Sequence, residues 1–215
     1  MPNVLALDVH HPDPAVVAAL AAAIAAGAVV ALPTDTVYGL AANALDPAAV
    51  ARVFALKGRG FDQPLPVAVR GRAQAAALAA SLPPLFDRLV QAFWPGALTL
   101  VVPAGPHLAA AVTAGRGAVG LRQPDLPLLA ELLRLAGVPL TLTSANRSGQ
   151  PACRTAAEVA AQFGADCPLL ADGGPTPSAL PSTVVDLCGP EPRVLRPGAI
   201  PAARLEAAWR EHRVS

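Results

Sequence analysis

Eighteen residues without a charge, Ala15 to Leu32, force a choice between a membrane segment and a packed interior. The run is long enough to span a bilayer, but its contents do not read as one span. Asp13 followed by Pro14 is an N-cap with proline at the first helical position, and Gly27 suits the residue just past a helix end. The run therefore divides into a helix to about residue 26 and a short, wholly apolar strand over 28–32, which implies burial on both faces. No Lys or Arg precedes it, so the basic start of a signal peptide is missing. A soluble, untargeted, cytoplasmic chain with no membrane partner is expected.

The same grammar recurs along the chain. Asp46-Pro47 opens a second helix, which carries Val50, Val53 and Phe54 on one face and ends near Lys57-Gly58. Helices are predicted over 72–80, 84–93, 126–136, 155–163 and 201–212. Strands are predicted over 4–7, 65–69, 98–102, 118–122, 139–142, 168–171, 182–187 and 193–196. Short strands interleaved with helices give the α/β class with a mixed sheet. At 215 residues the expectation is one domain over 1–215, with its core at about 12–200 and no additional C-terminal domain. Gly173-Gly174-Pro175-Thr176-Pro177 reads as a mobile loop over a site rather than a domain boundary.

Composition narrows the function classes. Charged residues make up 14% and the net charge is +1, which excludes a disordered charged tail and gives no global footprint for nucleic acid. Any cationic function is a local cluster. The 53% apolar content overstates how oily the chain is, because 49 residues are alanine. Cys153, Cys167 and Cys188 form no CxxC pair and read as reduced thiols. His10, His11, His107 and His212 are scattered and read as surface residues. Against 15 Arg there is a single lysine, Lys57. It marks either a site where a compact ammonium serves better than a planar fork, or chance.

Several segments carry candidate chemistry. Pro33-Thr34-Asp35-Thr36-Val37-Tyr38-Gly39-Leu40 leaves the carboxyl end of the buried strand, where open α/β sheets bind ligands. It is equally readable as an ordinary turn. Lys57-Gly58-Arg59-Gly60 sets two cations on a glycine-flanked loop and favours phosphate over a simple helix end. Thr141 to Gly149 is rich in hydroxyl and amide donors with no acid, suiting an anion or a nucleotide, though taken by itself a Ser/Asn-rich turn with a helix cap explains it better. Pro181-Ser182-Thr183, Arg122 and Val194-Leu195-Arg196-Pro197-Gly198 each place a donor at a strand edge. Gly115-Arg116-Gly117-Ala118-Val119-Gly120 matches a dinucleotide fingerprint in letters only. Its third glycine enters a strand, and no acid stands about 20 residues on.

Taken together, and in this order, these motifs resemble the YrdC/TsaC family of threonylcarbamoyl-adenylate synthases, from about Ala28 to Ile200. Trp94-Pro95-Gly96 with Leu98-Thr99-Leu100, and Pro64-Leu65 after Arg59, belong to the same set. The resemblance implies a twisted α/β sheet flanked by helices around a cationic cleft. It also implies an activity: ATP, L-threonine and bicarbonate give threonylcarbamoyl-AMP and pyrophosphate. A downstream transferase then modifies certain tRNAs, with tRNA contact possible. By similarity Thr36, Arg122 and Ser182 hold the threonine. Lys57 and Arg59 face the phosphates as the catalytic cations, and Ser144, Asn146 and Arg196 hold the nucleotide with them. Mg²⁺ is expected on the nucleotide rather than in a protein cage.

The chain departs from the family pattern at Gly60, where proline is frequent, at Gln63, where a basic residue is common, and at Ala68, where a histidine is frequent. Two alternatives compete with the synthase. One is a non-catalytic RNA-binding module using the same cleft, against which the low net charge and scarce aromatics count. The other is carbamoyl-adenylate chemistry on a different acceptor, as in the related domain of hydrogenase-maturation proteins.

Overall fold

The computed structural model describes residues 3–167, 169–178 and 180–210. In chain order the elements are β1 (Val4–Ala6), α1 (Pro14–Ala25), β2 (Val30–Leu32), β3 (Gly39–Asn43), α2 (Pro47–Lys57), β4 (Val67–Ala68), α3 (Arg72–Leu78), α4 (Pro84–Phe93) and β5 (Leu98–Pro103). They continue with α5 (Ala110–Thr113), β6 (Ala118–Arg122), α6 (Pro127–Ala136), β7 (Leu140–Ser144), α7 (Ala156–Phe163), β8 (Leu169–Asp172), β9 (Thr183–Asp186), β10 (Arg193–Arg196) and α8 (Ala202–Arg210).

Local chemistry sets the helix ends. The Asp13 carboxylate accepts from the Ala15 amide and the Asp46 carboxylate from the Ala48 amide, each satisfying a donor that the first turn leaves unpaired. α2 stops at Gly58, which takes a left-handed φ of 57°.

All ten strands join one mixed sheet in the order β1-β8-β2-β3-β7-β4-β6-β5-β9-β10. β2 runs parallel to β8 and antiparallel to β3, β4 runs parallel to β6, and β5 runs parallel to β9. One core gathers Tyr38, Phe54, Leu65, Phe86, Leu98 and Phe163. A second lies under α1 and α6, where Leu20, Ile24, Leu129 and Leu132 close over Val30, Leu32 and Ala41 of the sheet. β2 is fully buried, as its unbroken apolar sequence implies. No helix among the described residues is long and apolar enough to cross a membrane.

The structure differs from expectation in four places. β3 was not anticipated, because Gly39-Leu40-Ala41-Ala42-Asn43 has neither alternation nor strong strand formers. Pairing to β2 and β7 makes it a strand. The short α5 was likewise missed. The strand expected over 65–69 contracts to the two residues of β4. The 173–177 segment is tied down rather than draped over a site. The Tyr38 hydroxyl donates to the Gly174 carbonyl at 2.8 Å, and the amide of buried Thr176 donates to the Arg154 carbonyl at 2.9 Å. Residue 168 of the eighth expected strand, residues 211–212 of the last expected helix, and His212 lie outside the described residues.

Candidate active site

A cleft of about 460 Å³ opens where the β2–β3 turn, the segment around residues 59–68, β5, β6, β7 and the β9–β10 hairpin meet. That volume is in the range of small-molecule sites. Thr36, Arg59, Arg122, Ser144, Ser182 and Arg196, all singled out from sequence, lie in its wall. Lys57 and Asn146 do not.

Arg122 ends β6 and is gripped from three sides. Its Nε donates to the Gly96 carbonyl at 2.9 Å, Nη1 to the Thr36 hydroxyl at 3.2 Å, and Nη2 to the Asp35 carboxylate at 2.6 Å. The Arg122 and Asp35 side chains are only 10% and 12% exposed, so this ion pair is little screened by solvent. Burial pulls the guanidinium below its usual range while Asp35 opposes that shift. Of the five N–H bonds of an arginine, one on each terminal nitrogen is left without a protein acceptor among the described residues. The Thr36 hydroxyl is itself held by Thr34 at 2.9 Å, whose oxygen donates on to the Val37 carbonyl. The turn that sequence left open between site and scaffold is thus both.

Across the cleft, Arg196 donates twice to the Ser182 carbonyl, at 2.8 and 3.3 Å, and once to the Ser182 hydroxyl at 3.2 Å. The Ser182 hydroxyl also pairs with Thr99 of β5 at 2.8 Å. Burial lowers Arg196 first, and the charges of Arg122 and Arg59 then push it the same way. Three guanidiniums therefore act on one another across the cleft, and Asp35 is paired with just one of them, so a further anion is favoured there. Arg59 donates to the Pro64 carbonyl at 3.1 Å, and its buried Nε finds no acceptor. Arg116 and Arg193 extend the cationic wall, and Asp186 is its one carboxylate among the described residues.

Lys57 stands behind the wall at 3% exposure. Its ammonium donates to the carbonyls of Ser144 and Asn146, at 2.6 and 2.9 Å, and to the Asn146 side-chain oxygen at 3.2 Å. All three donors of the group are thereby engaged. Burial, helped by Arg59, pushes its pKa down to about 8. The same Asn146 oxygen accepts from the Ser144 hydroxyl at 2.5 Å, so Lys57 and Asn146 fix the loop from which Ser144 reaches the cleft.

Asp35 and Thr99 were not singled out from sequence. Asp35 carried a signal, a carboxylate between two threonines at the end of a buried strand. Thr99 carried only its place in the Leu98-Thr99-Leu100 motif, being one hydroxyl in an apolar strand. Of the departures, Ala68 lies in the cleft wall opposite Arg122 in the β4–β6 register, whereas Gln63 is exposed and outside it. The segment after Gly117 enters β6 rather than a helix, as its rejection as a dinucleotide loop requires.

Comparison with known proteins places this cleft in a family. The Sua5/YciO/YrdC model, described as telomere recombination, matches residues 22–198. The chain belongs to the Sua5/YciO/YrdC family. It is 44% identical over 183 residues to a putative threonylcarbamoyl-AMP synthase of Mycobacterium tuberculosis, covering 85% of this chain and 84% of that one. It is 41% identical to the threonylcarbamoyl-AMP synthase of Bacillus subtilis, covering 89% of this chain but 56% of that protein. The crystal structure of Pyrococcus abyssi Sua5 complexed with L-threonine superposes with a TM-score of 0.92 at 36% identity, over 95% of this chain and 60% of that one. The chain thus spans a little over half of its longer family members.

Proposed function

We propose that the protein is a threonylcarbamoyl-AMP synthase. It would condense L-threonine with bicarbonate to a carbamate, releasing water, and join that carbamate to the α-phosphate of ATP, releasing pyrophosphate. The observation that carries this reading is the convergence of Thr36, Arg59, Arg122, Ser144, Ser182 and Arg196, from segments far apart in the chain, on one cleft. The family members named for this activity, and the threonine held by the P. abyssi relative, support it.

In this reading Arg122, with Thr36 and Ser182, takes the threonine carboxylate on its uncommitted N–H bonds. Arg59 and Arg196 take the phosphates, and the unpartnered Nε of Arg59 gains an acceptor there. Attack by a carbamate oxygen needs that oxygen held in line with the α-phosphorus and a stabilised leaving group. Positioned cations do both, so no side chain need shuttle a proton at the phosphorus. Ser144 meets the nucleotide. Lys57 and Asn146 serve it from behind, by holding the Ser144 loop.

ATP would enter as its magnesium complex. No group of three or more His, Cys, Asp or Glu among the described residues could cage a metal, so the ion would come with the nucleotide to neutralise phosphate charge, and Asp186 is the carboxylate that the described cleft wall could offer it. The product passes in the cytoplasm to a transferase that modifies tRNA.

The test is pyrophosphate release from purified protein. Release is expected only when ATP, threonine and bicarbonate are all present. Release without threonine, or none with all three, overturns the assignment.

A further inference from the structure

Two of the proposed substrates present anionic groups, L-threonine a singly charged carboxylate and ATP a polyphosphate, and the cleft offers arginines to both. A guanidinium has no intrinsic preference between them, since its fork fits either. The three central arginines differ in their partners. Arg59 and Arg196 hydrogen-bond only to neutral groups, the Pro64 carbonyl and the carbonyl and hydroxyl of Ser182, and Asp62 acts on Arg59 through its charge without an ion-pair contact. Arg122 alone of the three is paired with a carboxylate, Asp35 at 2.6 Å, in a setting where both side chains are nearly buried.

We propose that Asp35 sorts these two anionic groups, by cancelling most of the field of Arg122 so that this arginine binds a carboxylate but competes poorly for polyphosphate. At hydrogen-bond distance the arginine still offers one N–H on each terminal nitrogen. A few ångströms away the pair looks nearly neutral, and a highly charged phosphate chain is drawn instead to Arg59 and Arg196. The Gly96 carbonyl and the Thr36 hydroxyl hold the guanidinium plane by themselves, so the carboxylate adds charge balance more than orientation. Asp35 is thus a specificity-determining residue that touches neither substrate. This rests on the synthase reading.

Binding measured without turnover separates the two. In the wild-type protein, threonine affinity measured by calorimetry should change less than threefold when inorganic pyrophosphate is raised to saturation. Displacement of threonine by pyrophosphate in the wild type overturns the sorting role whatever any variant does. Asp35→Asn keeps an oxygen near Arg122 and removes the charge. Pyrophosphate should then become competitive with threonine, weakening it tenfold or more, while Asp35→Glu restores the wild-type pattern. Weaker threonine binding in Asp35→Asn that pyrophosphate does not worsen would mark Asp35 as merely structural and overturn the proposal. Wild-type protein that binds pyrophosphate but no threonine would instead remove the synthase reading and this inference with it.

Discussion

The ammonium of Lys57 is buried against two backbone carbonyls and an amide oxygen, and its pKa falls from 10.5 to about 8 because burial penalises the charge. Between those two values the unfolded chain binds a proton that the folded chain has lost, so this group makes stability rise with pH. From pH 7.5 to 9 the wild type should gain about 1 kcal/mol relative to Lys57→Met, read from denaturant midpoints. The cysteine thiols, whose ordinary value is 9.0, are half ionised in the unfolded chain at the top of that window, but both proteins carry them and the comparison cancels their effect. Nucleotide affinity should move the other way. A neutral amine has two protons for three acceptors, so the Ser144 loop loosens above pH 8. At Arg122 the fork matters as well as the charge. Arg122→Lys should raise the threonine KM about 10- to 100-fold, with the ATP KM within about threefold of wild type. Arg122→Ala leaves Asp35 buried without its partner and should also destabilise the fold by about 3–5 kcal/mol.

Glycines at element ends separate backbone strain from steric exclusion. Gly58 ends α2 at a φ of 57°, and a Cβ there would meet nothing within 4 Å. Gly58→Ala should therefore cost only the left-handed penalty, about 1 kcal/mol, with near-normal activity. Gly198 follows β10 in the Arg196-Pro197-Gly198 turn, where a Cβ would run into the backbone of Pro181, Ser182 and Thr183. That backbone carries the Ser182 carbonyl to which Arg196 donates. Gly198→Ala should separate the turn from β9 and impair both threonine and ATP use, although Gly198 meets neither substrate. Paired melting curves and KM measurements on the two variants test the distinction. At the other end of α2, Asp46→Ala should cost about 1 kcal/mol through the lost cap.

Because the cleft draws its walls from β5, β6, β7, the β9–β10 hairpin and the β2–β3 turn, ligands that fill it tie the sheet together. ATP and threonine at about a hundred times their dissociation constants add close to 2.7 kcal/mol per ligand, which should raise the melting midpoint by about 5–10 °C each. A scan with either ligand alone and then both tests this. The helices and the α/β class were legible in the sequence because caps, prolines and apolar periodicity act within a few residues. Asp13-Pro14, Asp46-Pro47 and the wholly apolar β2 are examples. The residues of the cleft were legible as donors at strand ends, and their motif order carried the family. Three things were not legible: the strand β3, the retreat of Lys57 behind the wall, and the pairing of Asp35 with Arg122. Each depends on a partner between 87 and 105 residues away in sequence for its meaning, namely Leu140–Ser144 for β3, Ser144 and Asn146 for Lys57, and Arg122 for Asp35. Local chemistry decides what a residue can do, and only the folded chain decides what it is placed beside.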